Sequence, residues 1–576
     1  MSKAAVALKS YEGVRPQPMT RGATLADALV GALHENGIDT YFGVPGGAIE
    51  PLFNALARAS QQGRARVVAT RSEAGAGFAA DGYFRACGRM AVCTSTTGPG
   101  ISNLLTAVIN AHADRVPMLV ITPQVALAKQ GRGALQDSSY DGYDMLQVLS
   151  TCTVYSSQIT HRDQLPHKLR QALSRAQTAP RGPVHLSIAS DVLAGGLPGA
   201  ADAVLSERPL PFEQGLPQDG FEQLWSALSS ARRPLFYVGD DAGPQAERLF
   251  DLADVFAGSV ITSPAGKRWI PHHLPRHAGV LGFSGHASAQ QALRDADLVL
   301  AFGATFDELS TNAWAAVPQV RTFSIDTHGS FAYRVPQAQA LLVDPAAAID
   351  WMTARLPDRA LVHNSHMRMR KTRRERVGTN DGPVHPTDLV RWLGESMPAD
   401  VVLHADTGNS LSWTTRDLVR TRADTYRVAM GLCSMGWAVS AVLGAALASG
   451  RRSVCLAGDG AMLMSSLELS VAVQEQLPVT YVVLNDAGLG MVKHGQRLAG
   501  APSIAHQIGS VRFDRIAEAC GAQGFRVECL EDLARIPRRF LESSDHGPCV
   551  IDVVIDAEAV PPMMDRVVGL QTGIPK

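Results

Sequence analysis

Gly458-Asp459-Gly460-Ala461 opens the stretch of sequence that decides the fold, and Asn485-Asp486 closes it. Residues 453–457 before it form an apolar run of strand length, and residues 462–473 after it carry apolar side chains at helical spacing. Residues 477–484 (LPVTYVVL) form a second, almost uninterrupted apolar run. The pattern predicts a strand, a glycine turn, a helix and a second strand, which together make one βαβ crossover.

Asp459 and Asp486 each follow one of these two strands. Because both ends of a parallel pair open on the same edge of the sheet, their carboxylates can meet there, beside the N-terminal amides of the helix that follows Gly460. Two hard oxygen ligands beside such amides suit Mg²⁺ that carries a diphosphate. A lone Gly-Asp-Gly is ordinary turn chemistry, but the complete pattern predicts a site for a diphosphate cofactor.

Size and composition narrow the class of protein. With 576 residues the chain is too long for one core, and we expect three domains of ordinary size. A net charge of −1 gives no electrostatic reason to expect nucleic acid or a membrane as a partner. The eight cysteines are scattered without a CxxC pair, no apolar run is long enough to span a bilayer, and the start of the chain is unlike a secretory signal. These features predict a cytoplasmic enzyme.

Strand and helix patterns alternate in three units, and the outer two have the same layout. The predicted strands begin at 40 and then lie at 66–69, 90–95, 117–122, 183–187, 234–238, 259–262, 298–302, 320–325, 401–403, 453–457, 477–484 and 549–554. The clearest predicted helices lie at 24–36, 73–86, 98–113 and 435–448. The fold class is therefore α/β, with three doubly wound parallel-sheet domains.

The predicted domain limits follow from these units and from the loose segments between them. They are an N-terminal extension at 1–22, domains at 23–194, 217–356 and 385–558, and a C-terminal tail at 559–576. The charged segment 367–376 is predicted to be a solvated linker, with a phosphate-binding patch as the alternative.

The Gly-Asp-Gly unit resembles that of the thiamine diphosphate (ThDP) enzymes, in which the motif is followed at about this spacing by Asn. Arg71–Tyr83 (RSEAGAGFAADGY) resembles the RHE-x-GAAFAADGYAR block of the acetolactate synthases, and Thr97–Asn103 (TGPGISN) resembles their SGPGATN. The resemblance extends from about Thr24 to Val560. It implies a pyrimidine-binding, a central and a diphosphate-binding domain, in that order.

The resemblance also implies a metal site and a cofactor site. Asp459, Asp486 and the main-chain carbonyl of Gly488 would hold Mg²⁺, although most members carry Asn at the position of Asp486. The residues implied in cofactor binding lie mainly in glycine-rich loops and are Pro45, Gly46, Glu73, Gly408, Asn409, Ser410, Cys433, Met435, Gly458, Asp459, Gly460, Ala461, Asp486, Gly490 and Met491.

ThDP chemistry needs an acid that protonates the aminopyrimidine and an apolar wedge that bends the cofactor. The resemblance assigns the acid to Glu73, although a Glu in the first turn of a helix is ordinarily a dipole-favourable residue. It assigns the wedge to Met435, in a segment similar to the family's GGLGTMG in which Cys433 stands where Gly is usual. Gln136, and with less support Gln124, would line the substrate cleft.

The chain departs from the acetolactate synthases on the substrate side. Leu135 replaces a Phe, Gly495 replaces a bulky Trp, and both Arg of the family's GARFDDR are lost, at Thr305 and Leu309. In the family the second Arg helps to hold the carboxylate of the acceptor keto acid, so the acceptor here would need another partner or would be an aldehyde or ketone. Changes in loops that resemble FAD-contacting segments favour an FAD-free or vestigial site.

The expected function is that of a ThDP- and Mg²⁺-dependent carboligase. Such an enzyme decarboxylates a 2-keto acid such as pyruvate and transfers the acyl carbanion equivalent to a second carbonyl. The alternatives are a simple 2-keto acid decarboxylase and a catalytically silent ThDP-binding paralogue. In the family Glu73 contacts the pyrimidine bound to the neighbouring subunit, which implies a homodimer or homotetramer with active sites between subunits.

Overall fold

The computed structural model describes residues 23–196, 217–329, 331–356, 376–379 and 381–563. The predicted N-terminal extension, all but the last residue of the predicted linker 367–376, and most of the predicted C-terminal tail lie outside these residues. No helix in the described ranges combines the length and the apolar character needed to cross a membrane.

The first domain is one parallel sheet of six strands in the order β2-β1-β3-β4-β6-β5, with helices between the strands. Its strands are β1 Thr40–Gly43, β2 Arg66–Ala69, β3 Val92–Thr94, β4 Leu119–Gln124, β5 Tyr155–Ile159 and β6 Val184–Ala189. Its helices are α1 Leu25–Glu35, α2 Glu50–Gln61, α3 Glu73–Cys87, α4 Pro99–Ala113, α5 Met145–Ser150, α6 Leu165–Gln177 and α7 Ser190–Ala194.

The central domain is a second parallel sheet of six strands, in the order β12-β11-β10-β7-β8-β9. Its strands are β7 Pro234–Val238, β8 Ser259–Thr262, β9 His277–Val280, β10 Leu298–Phe302, β11 Thr322–Asp326 and β12 Ala338–Leu342. Its helices are α8 Gln218–Ser230, α9 Leu249–Val255, α10 Ala287–Asp295 and α11 Pro345–Thr353.

The third domain repeats the strand order of the first, as β14-β13-β15-β16-β18-β17. Its strands are β13 Val402–Ala405, β14 Tyr426–Arg427, β15 Ser453–Gly458, β16 Val479–Asn485, β17 Gln523–Val527 and β18 Cys549–Val554. Its helices are α12 Pro386–Ser396, α13 Asn409–Asp417, α14 Trp437–Ser449, α15 Asp459–Ser465, α16 Leu469–Gln474, α17 Gly490–Leu498, α18 Phe513–Cys520 and α19 Arg539–Glu542. The predicted fold class of three parallel α/β domains is confirmed.

The βαβ unit of Gly458–Asp486 is present, and two helices, one within it and one before it, differ from the prediction. Strands β15 and β16 pair in parallel, and Gly458 lies opposite Leu484. The helical run after Gly458 is broken into α15, a short 3-10 turn at Ser466–Glu468, and α16. The helix predicted at 435–448 begins at Trp437, because Gly436 before it has a left-handed backbone with φ of +85°. Met435 therefore lies in a loop.

The first and third domains share one continuous hydrophobic core, built around the crossing of α3 and α14. The two helices touch backbone to backbone, because a Cβ on Gly82 would lie 2.0 Å from the carbonyl oxygen of Ala441. A Cβ on Gly444 would lie 1.8 Å from the carbonyl oxygen of Ala79. Glycine at these positions permits the close approach. The two domains consequently hold each other in a fixed relation.

Candidate active site

The loops that carry the predicted cofactor residues of the third domain lie at one edge of its sheet. Strands β13 and β15 are neighbours where the strand order reverses, which is where ligands bind in open parallel sheets. Residues 406–410 follow β13, residues 459–461 follow β15, and residues 486–491 follow β16. The structure thus brings the residues at 408–410, 458–461 and 486–491 to a common edge.

Asp459 is held beside this edge by backbone amides. The Gly460 amide donates to Asp459 Oδ1 at 2.7 Å, and the Gly488 amide donates to Asp459 Oδ2 at 3.0 Å. Burial and the neighbouring charge of Asp486 together raise the pKa of Asp459 to about 7, although these amides act to lower it. Burial also raises the pKa of Asp486 to about 6. Two close, buried carboxylates of this kind fit a divalent cation, whose charge would stabilise both.

The described residues contain no group of three or more His, Cys, Asp or Glu side chains that could hold a metal. A metal at Asp459 and Asp486 would therefore take further ligands from other oxygens, such as a backbone carbonyl and a phosphate. Mg²⁺ is the cation that binds in this way.

Asn409 and Gly490 line the edge next to the two carboxylates. A Cβ on Gly490 would lie 2.5 Å from Asp486 Oδ2 and 2.6 Å from Asn409 Nδ2, so the position has no room for a side chain. Asn409 Oδ1 is buried and has no hydrogen-bond partner among the described residues. A buried polar atom of this kind fits a bound polar ligand.

Gly408 and Ser410 determine the backbone conformation of the same loop. Gly408 has φ of +106°, a conformation that glycine adopts without strain. The Ser410 hydroxyl donates to the Asp406 carbonyl at 2.7 Å, so this side chain is engaged within its own turn.

The predicted wedge, Met435, lies in the loop before α14 and is 36% exposed. A Cβ on Gly460 would lie 3.4 Å from Met435 Cε and 2.6 Å from Leu489 Cδ2, so the wedge lies against the start of α15. Cys433 has φ of +55°, in the region that favours glycine. Cys433 therefore adopts a backbone conformation that glycine would adopt more easily, at a cost in strain.

Glu73 begins α3 at the edge of the first domain. Ser72 caps this helix by accepting the amide of Gly75 at 3.0 Å. Asn103 Nδ2 donates to Glu73 Oε2 at 3.2 Å, which orients the carboxyl group. Sequence reasoning placed Asn103 in a recognised block but gave it no role.

Pro45, Gly46 and Gln136 lie on the same edge as Glu73. Pro45 is exposed, and Gly46 packs so closely that a Cβ there would lie 2.6 Å from Thr96 Cβ. Gln136 has φ of +59°, and its Oε1 accepts a long hydrogen bond of 3.4 Å from the Thr97 hydroxyl.

Gln124, the weaker candidate for the substrate cleft, is buried behind this edge. Its Nε2 donates to the Ser138 carbonyl at 2.8 Å. Its Oε1 is buried without a hydrogen-bond partner among the described residues.

The candidate acid and the candidate metal site come from different domains of the chain. Among the described residues, no hydrogen bond or ion pair joins Glu73, Asn103 or Gln136 to Asp459 or Asp486. The start of α3 instead contacts the third domain at a buried carboxylate that sequence reasoning missed. Glu468 accepts the amide of Ser72 at 2.9 Å, and burial raises the pKa of its carboxyl group.

Three of the four substrate-side departures lie in the central and third domains, whereas Leu135 lies in the first domain and is 86% exposed. Leu309 packs against the apolar cluster of the third domain, as Met491 does. Among the described residues, a Cβ on Gly495 would meet only Met563 Cε, at 3.8 Å, so this part of the structure leaves room for a larger side chain. The backbone carbonyl of Thr305 accepts from Arg334 at 2.8 Å.

The central domain has the strand order of dinucleotide-binding domains, with its crevice between β7 and β10. The residues there do not fit the diphosphate of FAD. Asp240 and Asp241 follow β7, and Asp326 ends β11. Burial raises the pKa of Asp241, as do the charges of Asp240 and Asp326, whereas Arg115, 2.7 Å away, lowers it. A dianion there would face several carboxylates; Arg115 is already paired with Asp241, and the charge of Arg181 also lowers the pKa of this carboxyl group.

Three family descriptions match the chain in the order of its domains. "Thiamine pyrophosphate enzyme, N-terminal TPP binding domain" matches residues 23–145, and "Thiamine pyrophosphate enzyme, central domain" matches residues 221–352. "Thiamine pyrophosphate enzyme, C-terminal TPP binding domain" matches residues 406–553. Thiamine pyrophosphate is another name for ThDP.

Several relatives are similar over nearly the whole chain. A putative acetolactate synthase large subunit of Mycobacterium tuberculosis is 30% identical over 93% of this chain and 98% of its own length. Acetolactate synthase isozyme 2 large subunit of Escherichia coli is 29% identical over 92% of this chain and 95% of its own length. An acetolactate synthase of Mycobacterium bovis is 29% identical over 93% of this chain and 88% of its own length.

Proposed function

The chain belongs to the thiamine pyrophosphate enzymes and is close to the acetolactate synthases, and from this premise we propose that it is a ThDP- and Mg²⁺-dependent carboligase. It would decarboxylate a pyruvate-like 2-keto acid and join the acyl unit to a second carbonyl compound. The observation that carries this proposal is the close pair Asp459 and Asp486. They lie beside Gly490, where there is no room for a side chain, and Met435 lies against the start of α15. When bound, ThDP supplies the carbon nucleophile that attacks the keto acid.

In this proposal the residues of the chain position the metal and the cofactor and transfer protons. Asp459, Asp486 and the Gly488 carbonyl hold the metal, and Gly408, Asn409 and the Gly490 turn hold the diphosphate. Met435, which lies against the start of α15, would support the bound cofactor. These roles need a backbone that approaches the ligand closely, which the absence of side chains at Gly408 and Gly490 supports.

Glu73 is the proposed proton donor and acceptor toward the pyrimidine ring. Its carboxyl group is half-buried, and Asn103 donates to one of its oxygens, which leaves the other oxygen for the ring. Replacement of Glu73 by Gln is expected to abolish turnover without unfolding the protein, because Gln has the same shape and cannot supply the proton.

Active sites that form between two subunits are part of the proposal. Among the described residues no hydrogen bond or ion pair joins Glu73 to Asp459 within one chain, and large apolar side chains are exposed in the loop near Gln136 and around the end of α15. Tyr140 is 86% exposed in this loop, and Met464 and Leu467 are 64% and 66% exposed around the end of α15. Apolar patches of this kind mark interaction surfaces, and a second copy of the chain would cover them while it completes both sites.

A simple 2-keto acid decarboxylase is the second candidate function. The observations that favour it are the apolar side chain at Leu309 and the open space at Gly495, since neither offers a charged contact to an acceptor carboxylate. A buried charge-assisted contact of that kind contributes about 1.5–3 kcal/mol.

Product analysis distinguishes the two functions. Enzyme incubated with pyruvate, Mg²⁺ and ThDP is expected to release carbon dioxide together with a ligated product, acetolactate or acetoin. Carbon dioxide with free acetaldehyde alone would favour the decarboxylase and refute the carboligase. Asp459→Ala protein is the control for background turnover.

A catalytically silent paralogue is tested by calorimetry with ThDP and Mg²⁺. The proposal requires binding of both together with turnover of a keto acid. Binding without turnover of any keto acid, in a screen of pyruvate and longer homologues, would favour the silent paralogue.

FAD is absent from the proposed cofactor set. Asp240, Asp241 and Asp326 around the crevice, and the engagement of Arg115 by Asp241, support this statement. Purified protein is expected to show no visible flavin absorption and no change in FAD fluorescence on mixing. Flavin bound one to one after purification would refute it.

A further inference from the structure

The wedge loop, defined as residues 428–436, is held at both of its ends by charged side chains. At its start Arg85 Nη1 donates to the carbonyl of Val428 at 3.1 Å, and the amide of Gly431 donates to Asp114 Oδ1 at 2.6 Å. Both of these side chains belong to the first domain. Since Met435 lies four residues beyond Gly431, the first domain fixes where the loop enters the candidate active site.

At the other end of the loop, Asp406 accepts two amides. The Gly436 amide donates to Asp406 Oδ1 at 2.9 Å, and the Ala438 amide donates to Asp406 Oδ2 at 2.7 Å. Asp406 is fully buried and directly follows β13, before the loop at 408–410. A single carboxylate therefore ties the loop assigned to the diphosphate to the residue that directly follows Met435.

The two first-domain side chains form a buried ionic cluster. Arg85 lies 2.6 Å from Asp114 and 2.5 Å from Asp81, and the Arg85 and Asp114 side chains are each only 4% exposed. The Arg85 guanidinium also lies over the Trp437 ring, 5.1 Å from its centroid. Removal of one member of such a cluster leaves an uncompensated buried charge, so the cluster keeps one geometry.

The loop between the two anchors has a backbone that requires such support. Cys433 has φ of +55° and Gly436 has φ of +85°, and the first of these conformations is unfavourable for a side chain other than glycine. A strained conformation persists only where its surroundings determine it. In this loop the surroundings include the two anchors.

We propose that Asp406 and Asp114 are positioning residues that act on the reaction through Met435, by holding the wedge loop from its two ends. This inference rests on the proposed function, in which Met435 supports the cofactor. It assigns a role to the first domain that is separate from its contribution of Glu73.

The test uses two isosteric substitutions, Asp406→Asn and Asp114→Asn, in the full-length protein. Each replaces one carboxylate oxygen by an NH₂ group that faces a donor, so one anchor is lost with little change in volume. Amide hydrogen exchange measured by mass spectrometry is expected to become about tenfold faster or more in the wedge loop, because a charge-assisted bond is lost. Peptides from β15 are expected to be unchanged.

Kinetics then show whether the anchors act through Met435. Each substitution is expected to lower kcat for carbon dioxide release by about 100-fold, the cost of a misplacement of about 1 Å, with KM for the keto acid changed less than threefold. In the Met435→Ala background the same substitutions are expected to have little further effect, because the group they position is gone.

Glu475→Gln is the matched control, since Glu475 pairs with Arg66 across the same two domains, 2.7 Å apart, without contacting the wedge loop. It is expected to change neither the exchange of the loop nor kcat. Unchanged loop exchange in the Asp406 and Asp114 variants would overturn the inference, and so would losses that add fully to that of Met435→Ala. If the parent enzyme turns over no keto acid, the proposed function has failed, and loop exchange alone decides this inference.

Discussion

The replacement of Gly444 by Ala tests whether backbone contact between α3 and α14 is what fixes the first domain on the third. The new Cβ would lie 1.8 Å from the carbonyl oxygen of Ala79 and 2.7 Å from the amide nitrogen of Tyr83. Ordinary contact begins near ~3.5 Å, so the helices must separate by roughly 1.5 Å or more at their crossing. Both contacts are backbone atoms, which cannot move aside alone.

The expected loss of stability follows from two opposing terms. Overpacking of a well-packed core costs about 1–3 kcal/mol and occasionally more, and a clash with backbone belongs at the upper end of this range. Alanine in place of glycine inside a helix stabilises the folded state by about 1 kcal/mol. The net expectation is a destabilisation of about 2 kcal/mol, together with a fall in kcat, because the same displacement moves Arg85 away from the wedge loop.

Thermal unfolding and steady-state kinetics measure these effects. Gly31→Ala is the matched control, since Gly31 lies in α1 and a Cβ there would meet nothing within 4 Å. This control is expected to raise the unfolding midpoint slightly through helix propensity alone. Equal midpoints and equal kcat for Gly444→Ala and Gly31→Ala would refute the idea that the crossing is close-packed.

Three further predictions concern pH, metal and assembly. Burial between Thr122 and Ser156 lowers the pKa of His185 from 6.5 to about 3. Its contribution to the free energy of unfolding is therefore complete above pH 6.5. On acidification this contribution falls by about 1.4 kcal/mol per pH unit, because the unfolded state binds a proton that the folded state does not. His185→Gln should therefore flatten the fall of the unfolding midpoint between neutral and acidic pH. Asp486→Asn should still bind Mg²⁺ and ThDP in calorimetry, with an Mg²⁺ affinity on the order of tenfold weaker, because one ligand charge is lost. Met464→Glu should shift the protein toward monomers in analytical ultracentrifugation and lower its activity in parallel; a fully assembled variant would argue against Met464 at the interface.

Most of the strands that the sequence predicted lie in the interior of the sheets, although the edge strand β2 was predicted as well. The runs at Pro234–Val238, Leu298–Phe302 and Cys549–Val554 match the observed strands residue for residue. The missed strands include β5 and β17, which lie at sheet edges. Most of their residues are only partly buried, so no apolar run marks them. Such an edge strand is defined by its pairing with a neighbouring strand, and the local sequence does not reveal this pairing.

In the candidate site, too, residues in local sequence motifs could be recognised, whereas contacts between residues distant in the chain could not. Asp459, Asp486 and Glu73 could be named as candidates from the sequence because each follows a strand and stands in a recognisable local pattern. Asp114 was not predictable as an anchor of the wedge loop, because it lies 317 positions from Gly431, whose amide it accepts. Glu468 was missed for the same reason, since its partners at the start of α3 lie in another domain.

Helix α3 connects the features that matter most in this molecule. Glu73 begins it and Arg85 lies twelve residues further on, a rise of roughly 18 Å. Between them Gly82 presses the helix against α14, which begins two residues after Met435. If Glu73 contributes to the active site of a second copy of the chain, as proposed, α3 carries the acid of one active site and also Arg85, which anchors the wedge loop of the other. A displacement at the crossing, such as that expected for Gly444→Ala, should then impair both sites together. In mixed dimers of parent and Gly444→Ala chains, fewer than half of the sites should remain active, whereas independent sites would lose activity only in proportion to the variant chain.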